Sequence, residues 1–285
     1  MGALTGRNIA LTGVPRSGTT LACQLLSHAE NTVALFEPMD IAEIPTAPRS
    51  ACVEHIEAFM ATVRRQVLDT GTAPSKQRGG TVPDNLFAPT DAAGQRAAQA
   101  ALGRVAVTVN DPGFTLVIKH NAMFTAVLPA LATRVETFAI VRNPLAVLGS
   151  WNSVDLPVRD GRIPAGERLD PSLAHRLECE ADVLERQLIV LDWFFSQYAT
   201  HLPRERVLAY EDIVATQGQL LFDRLGVRGA AGHALRERNA GIDYPREGIE
   251  RCADALRARD GAWSAWYDCD AIDGLHARMA DSEQP

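Results

Sequence analysis

The stretch Leu11-Thr12-Gly13-Val14-Pro15-Arg16-Ser17-Gly18-Thr19-Thr20 constrains this chain more than any other. It follows an apolar run at 9–11 and precedes Leu21-Ala22-Cys23-Gln24-Leu25-Leu26, so it reads as strand, tight turn and helix start. Gly13 and Gly18 have the spacing of a loop whose backbone N–H groups and helix N-terminus wrap a phosphate. The lysine that follows the second glycine in ATP- and GTP-using loops is replaced by Thr19, and the positive charge has moved back to Arg16. The anion held there is therefore expected to differ from a γ-phosphate on Mg²⁺.

A second segment, Phe138-Ala139-Ile140-Val141-Arg142-Asn143-Pro144, reads as a buried parallel strand over 137–141, stopped by Asn-Pro and followed by a helix with proline in its first turn. Arg142 then stands at the C-terminal edge of a strand, where open α/β sheets bind ligands, and Ser150 lies two helical turns on. A guanidinium fork and a hydroxyl suit a terminal phosphate.

Val14-Pro15-Arg16-Ser17-Gly18-Thr19-Thr20 resembles the 5′-phosphosulfate loop of sulfotransferases that use 3′-phosphoadenylyl sulfate (PAPS), and 138–150 resembles that family's 3′-phosphate segment. The motif similarity covers about 9–39 and 116–150, with weaker echoes at 206–226 and 257–263. The resemblance implies a P-loop NTPase-like sulfotransferase fold, an α/β parallel sheet with helices on both faces. It implies PAPS as donor, no metal, and donor contacts from Pro15, Arg16, Ser17, Gly18, Thr19, Thr20, Arg142 and Ser150. Arg257-Ala258-Arg259-Asp260-Gly261 weakly echoes the family's basic 3′-phosphate loop and adds Arg259 as a candidate.

With 285 residues, 46% hydrophobic and 22% charged, the chain can bury a full core, and no linker separates two halves. A single domain over 1–285 is expected, with variable cap elements near 51–104 and 151–200. The net charge of −7 argues against a nucleic-acid binder. The N-terminus runs straight into the first strand and no apolar run reaches membrane-span length, so a soluble cytoplasmic protein is expected. Five scattered cysteines without a Cys-x-x-Cys pair suggest neither a zinc site nor a disulfide framework.

Along the chain, 32–36 reads as a strand ending at Glu37-Pro38, and 51–69 as an amphipathic helix. Residues 71–100 read as a surface loop or a flap over the site. Residues 105–109 and 114–118 flank the turn signal Asn110-Asp111-Pro112-Gly113 and read as a hairpin whose second arm delivers Lys119 and His120. An ordered lid or acceptor-contacting loop is expected over 155–170, one long helix over 173–198, a last strand over 206–210, and a helix over 219–225 closed by Gly226.

Sulfuryl transfer requires positioning, stabilisation of charge on the departing phosphate, and removal of one proton. Glu37 resembles the acidic Glu-Pro element of carbohydrate and some bacterial sulfotransferases. Desolvation beside Phe36 is expected to raise its pKa toward a useful base. His120 is the rival base; it adjoins Lys119, so in extended chain the two side chains point opposite ways. Lys119 resembles the family's lysine that stabilises the leaving oxygen. The acceptor is expected to be a carbohydrate or small-molecule alcohol. Two other readings stay open: a P-loop nucleotide kinase with Asp111 or Asp212 as metal ligand, and a nucleotide binder without turnover. Glu211 or Asp212 otherwise serves as a helix cap.

Overall fold

The computed structural model describes residues 6–85, 100–240 and 246–281. Strand β1 (Asn8–Gly13) leads through the glycine loop into α1 (Thr19–Ser27) and β2 (Thr32–Phe36). Helix α2 (Arg49–Thr70) precedes β3 (Thr72–Gln77) and β4 (Ala101–Ala106), and then come β5 (Thr115–Lys119), α3 (Ala122–Ala126), α4 (Leu128–Leu131), β6 (Glu136–Val141) and α5 (Pro144–Asn152). The remainder is α6 (Pro164–Leu169), α7 (Pro171–Glu178), α8 (Val183–His201), β7 (Val207–Ala209), α9 (Tyr210–Ala215), α10 (Gln219–Leu225), α11 (Arg246–Arg257) and α12 (Cys269–Asp281).

The main sheet has the order β2-β5-β1-β6-β7, with every pairing parallel. Its strands are buried on both faces, which is why they read as apolar runs rather than alternating ones. Alternate side chains feed two cores. Ala10, Leu35, Ile118 and Val141 pack under α2 and α8, while Leu11, Phe36, Val117 and Ile140 pack under α1 and α10. Each fully buried Leu, Ile or Phe contributes about 1.5–3 kcal/mol of burial free energy. The protein is thus an α/β protein with a five-stranded parallel sheet covered by helices on both faces.

Strand order also locates a crevice. The chain leaves β1 through α1 on one face and moves to β2 on one side of the sheet; it leaves β6 through α5 on the other face and moves to β7 on the other side. The C-terminal ends of β1 and β6 are adjacent, so their two loops diverge at a switch point, the place where open α/β sheets accept ligands.

Three sequence readings are corrected. Residues 105–118 do not form a hairpin: β4 pairs antiparallel with β3 in a separate ribbon, while β5 lies parallel between β1 and β2. The turn chemistry at 110–113 is real, with the Asp111 carboxylate accepting from Gly113 N at 2.6 Å, but it joins two different sheets. Part of the expected 71–100 loop is strand β3, and residues 86–99 lie outside the described residues. The single helix over 173–198 is two, α7 and α8, separated at 179–182 where Asp182 caps α8 by accepting from Glu185 N at 3.0 Å. The expected lid holds a short 3-10 turn at Pro157–Asp160 and helix α6.

Candidate active site

The glycine loop is held from behind. The Pro15 carbonyl accepts from the Trp151 indole at 2.8 Å and the Arg16 carbonyl from Arg142 Nη1 at 2.9 Å. Ser17 donates its hydroxyl to the Ile140 carbonyl at 2.8 Å and is fully buried. The Val14 and Ser17 N–H groups are also bonded within the protein, to the Ile140 and Val14 carbonyls, and α1 begins at Gly18 with no side chain capping its first turn. Uncapped helix N–H groups at a loop of this shape form an anion cradle. The residues present therefore suit an anion, and the Ser17 hydroxyl is spent on the Ile140 carbonyl.

Glycine is required at position 18. Its φ is +87°, and a Cβ there would sit 2.6 Å from the Tyr210 ring. Arg16 shares the left-handed conformation, φ 72°, and its side chain turns to Ser150 Oγ (Nε, 3.1 Å) and Asn85 Oδ1 (Nη1, 3.4 Å). The sequence placed Ser150 with Arg142; the fold places it on Arg16.

Arg142 is 7% exposed and lies over the Tyr210 ring, its guanidinium carbon 4.8 Å from the centroid. Besides the Arg16 carbonyl it donates to Asn239 Oδ1 at 2.6 Å and to the Arg238 carbonyl at 2.6 Å. Three of its five N–H donors thus clasp the protein. Asn239 passes the contact to Glu211, whose carboxylate also accepts from Asn143 N and from the Tyr267 hydroxyl. Glu211 is therefore a hub rather than the helix cap expected of it. Arg259 pairs with Glu185 at the start of α8, and among the described residues it shares no hydrogen bond with Arg16, Arg142 or Ser150.

Beside the loop, register brings a second group together. Phe36, Lys119 and Leu11 lie abreast on β2, β5 and β1, so Glu37 and His120 both emerge one step past the sheet. Glu37 is left-handed, φ 44°, and its N–H donates to the Lys119 carbonyl at 2.9 Å. Lys119, 2% exposed, donates to Glu37 Oε1 at 2.7 Å with its ammonium 4.5 Å from the Phe36 ring centroid. Lys76, from the ribbon strand β3, donates to Glu37 Oε2 at 2.6 Å. Of the four non-glycine residues with positive φ among those described, Arg16 and Glu37 stand at this crevice, as strained residues at functional sites do.

This cluster overturns the expected basicity of Glu37. Burial pushes its pKa up, but the ammoniums of Lys119 and then Lys76 outweigh burial and hold the carboxyl well below the usual carboxylate range. His120 is pushed down to about 3, chiefly by burial, so its ring is neutral. Its Nε2 accepts from Met39 N at 3.2 Å and its ring packs edge-on against Phe124, on the opposite side of the sheet from Lys119, as the one-residue offset requires.

Asp111 precedes β5 and so lies at the N-terminal edge of the sheet, away from the loop, which removes it as a metal ligand there. Asp212 is exposed in the first turn of α9. Among the described residues no group of three or more His, Cys, Asp or Glu could hold a metal ion, and no helix is long and apolar enough to cross a membrane. Lys76, Asn239 and Trp151 were missed in the sequence. A polar residue in a loop-like stretch and a helical tryptophan carry no local signal of what the fold brings to them.

No protein-family model matches the chain, and no curated protein does. Among solved structures it is similar to the sulfotransferase STF1 from Mycobacterium tuberculosis H37Rv, with 13% identity and a TM-score of 0.36, over 97% of this chain and 77% of that one.

Proposed function

We propose that the protein transfers a sulfuryl group from PAPS to the hydroxyl of a carbohydrate or small-molecule alcohol. The observation that carries this reading is the loop with Arg16 in place of a kinase lysine, its carbonyls pinned away, opening beside the Glu37–Lys119 pair. The N–H groups of Gly18, Thr19 and Thr20 together with Arg16 hold the 5′-phosphosulfate end. Ser150, the two remaining donors of Arg142, and Arg259 serve the 3′-phosphate end.

PAPS supplies a sulfur whose bond to the bridging phosphate oxygen breaks as a bond to the acceptor oxygen forms. Lys119 donates to the bridging oxygen as charge collects there. The acceptor proton passes to Glu37, with His120 as the alternative base. A weakly basic carboxylate suffices because the hydroxyl becomes strongly acidic once its oxygen bonds to sulfur; the proton moves late.

Calorimetry with the desulfo nucleotide in the presence of EDTA, followed by a mass-spectrometric screen of hydroxyl acceptors for a gained sulfuryl group, tests the reading. Metal-independent binding and one sulfated acceptor are expected, with Glu37→Gln slowing transfer about 10²–10⁴-fold. Binding of ATP only with Mg²⁺ would overturn it in favour of a kinase.

A further inference from the structure

Lys76 has no part in the reaction as written above, yet it makes a 2.6 Å contact with the site's carboxylate. Glu37 has two oxygens, and a different ammonium holds each: Lys119 on Oε1 and Lys76 on Oε2. That is one cation more than charge balance needs. The two lysines arrive by different routes. Lys119 comes from a central strand and is 2% exposed, whereas Lys76 comes from the ribbon and is 36% exposed.

A Glu37–Lys119 pair alone would be a poor arrangement here, with the ammonium buried and the carboxylate only 23% exposed. Drawing the buried ammonium toward a donor would strip the carboxylate of its counter-charge, and a half-broken buried pair is strongly unfavourable. The other titratable groups near Glu37 offer no substitute. His120 is neutral, and the buried Cys23 thiol of α1 is pushed up to about 12, chiefly by burial.

The ribbon is placed to supply the missing charge. Ser75, fully buried, accepts from Phe36 N at 3.0 Å, so the residue before Lys76 is anchored to the residue before Glu37. The Phe36 ring lies beneath both ammoniums, 4.5 Å from that of Lys119 and 5.8 Å from that of Lys76. Lys76 therefore meets Glu37 in a fixed register rather than by the wandering of a surface side chain.

We infer that Lys76 is a positioning residue for sulfuryl transfer, holding the Glu37 carboxylate charged and in place while Lys119 turns to the departing bridge oxygen; this assignment rests on the sulfuryl-transfer reading of the site. No bond to Lys76 forms or breaks. The proton still passes from acceptor hydroxyl to Glu37, and the Lys76 ammonium keeps its own protons throughout.

The test compares Lys76→Met, Lys76→Gln and Lys76→Arg, each with and without Glu37→Gln. Carboxyl resonances of ¹³C-labelled glutamate are followed with pH, that of Glu37 being the one absent from Glu37→Gln, together with kcat and the donor KM against pH. Lys76→Met and Lys76→Gln should move the Glu37 titration up by about one to three pH units. They should also lower kcat about tenfold, less than the ~10²–10⁴-fold that a proton-transfer group itself contributes, and shift its acid limb upward. Lys76→Arg should restore both, and Lys76→Met should add nothing to Glu37→Gln. An unmoved Glu37 titration, or losses that add to those of Glu37→Gln, would overturn the inference. A wild-type protein that neither binds nor uses PAPS overturns the sulfuryl-transfer reading instead, and the titration then decides the Lys76–Glu37 coupling by itself.

Discussion

The glycine loop and the Glu37 cluster stand side by side at the ends of β1, β2 and β5, yet they are held by opposite means. In the loop, Arg142 and the α5 indole of Trp151 take up backbone oxygens, Ser17 ties the loop to the Ile140 carbonyl of β6, and Arg16 reaches Ser150 and Asn85. In the cluster, charges hold one another: two ammoniums share one carboxylate. The first arrangement rests mainly on hydrogen bonds to backbone carbonyls. The second is a balance among titratable groups, which a ligand or a change of pH can redistribute.

The contrast is broken most severely at Gly18. Gly18→Val drives a side chain into the Tyr210 ring at a backbone angle that L-residues rarely adopt. It should destabilise the fold by about 3 kcal/mol or more and abolish donor binding, read by thermal melting and calorimetry. Wild-type melting would remove the claim that Tyr210 fixes the loop.

Arg142→Lys keeps the charge and loses the fork that binds Asn239, Arg16 and Arg238. A loss of about 2–3 kcal/mol in urea unfolding is expected, with no change in how stability depends on pH.

The cluster should show the complementary behaviour. The folded pKa of His120 is about 3 against 6.5 for the free side chain, so between these values the unfolded chain binds the extra proton. Stability contributed by the neutral ring is complete above pH 6.5 and is lost as pH falls toward 3, with a slope up to about 1.4 kcal/mol per pH unit. Glu37, also depressed, adds a loss of the same sign below its ordinary value of 4.5. Urea midpoints between pH 7 and pH 4 should fall in the wild type and fall less in His120→Gln; equal slopes would refute the assignment.

The smallest effect belongs to Ser150→Ala, which releases Arg16 Nε from its 3.1 Å contact. Donor binding should weaken by about 0.5–1.5 kcal/mol, measured by calorimetry, with stability nearly unchanged.

The loop side was the more legible in the sequence. Strand 32–36, helix 219–225 with its left-handed Gly226, and the strand–loop–helix passages at Gly13 and Arg142 are all local patterns of apolar period and cap chemistry, and the structure has them in place. The cluster was half legible. Glu37, Lys119 and His120 sit at strand ends that can be read, but Lys76 reaches Glu37 only because β3 pairs with β4 and docks on β2 through Ser75. The turn at 110–113 was readable as a turn but not as a junction between sheets, because turn residues specify reversal and not partner. The pKa of Glu37 was misjudged because burial was visible, whereas the direct ion pairs with Lys119, the larger cause, and with Lys76 were not.

The chain of contacts from Arg142 through Asn239 and Glu211 to Tyr267 has a consequence for biogenesis. A nascent chain that has emerged only as far as β7 already contains the glycine loop, Glu37, Lys76 and Lys119, but not the acceptors at 238 and 239 that fix the guanidinium against the Arg16 carbonyl. The guanidinium that clasps the cradle therefore gains its last partners only after residues 238 and 239 have been made, long after the glycine loop itself.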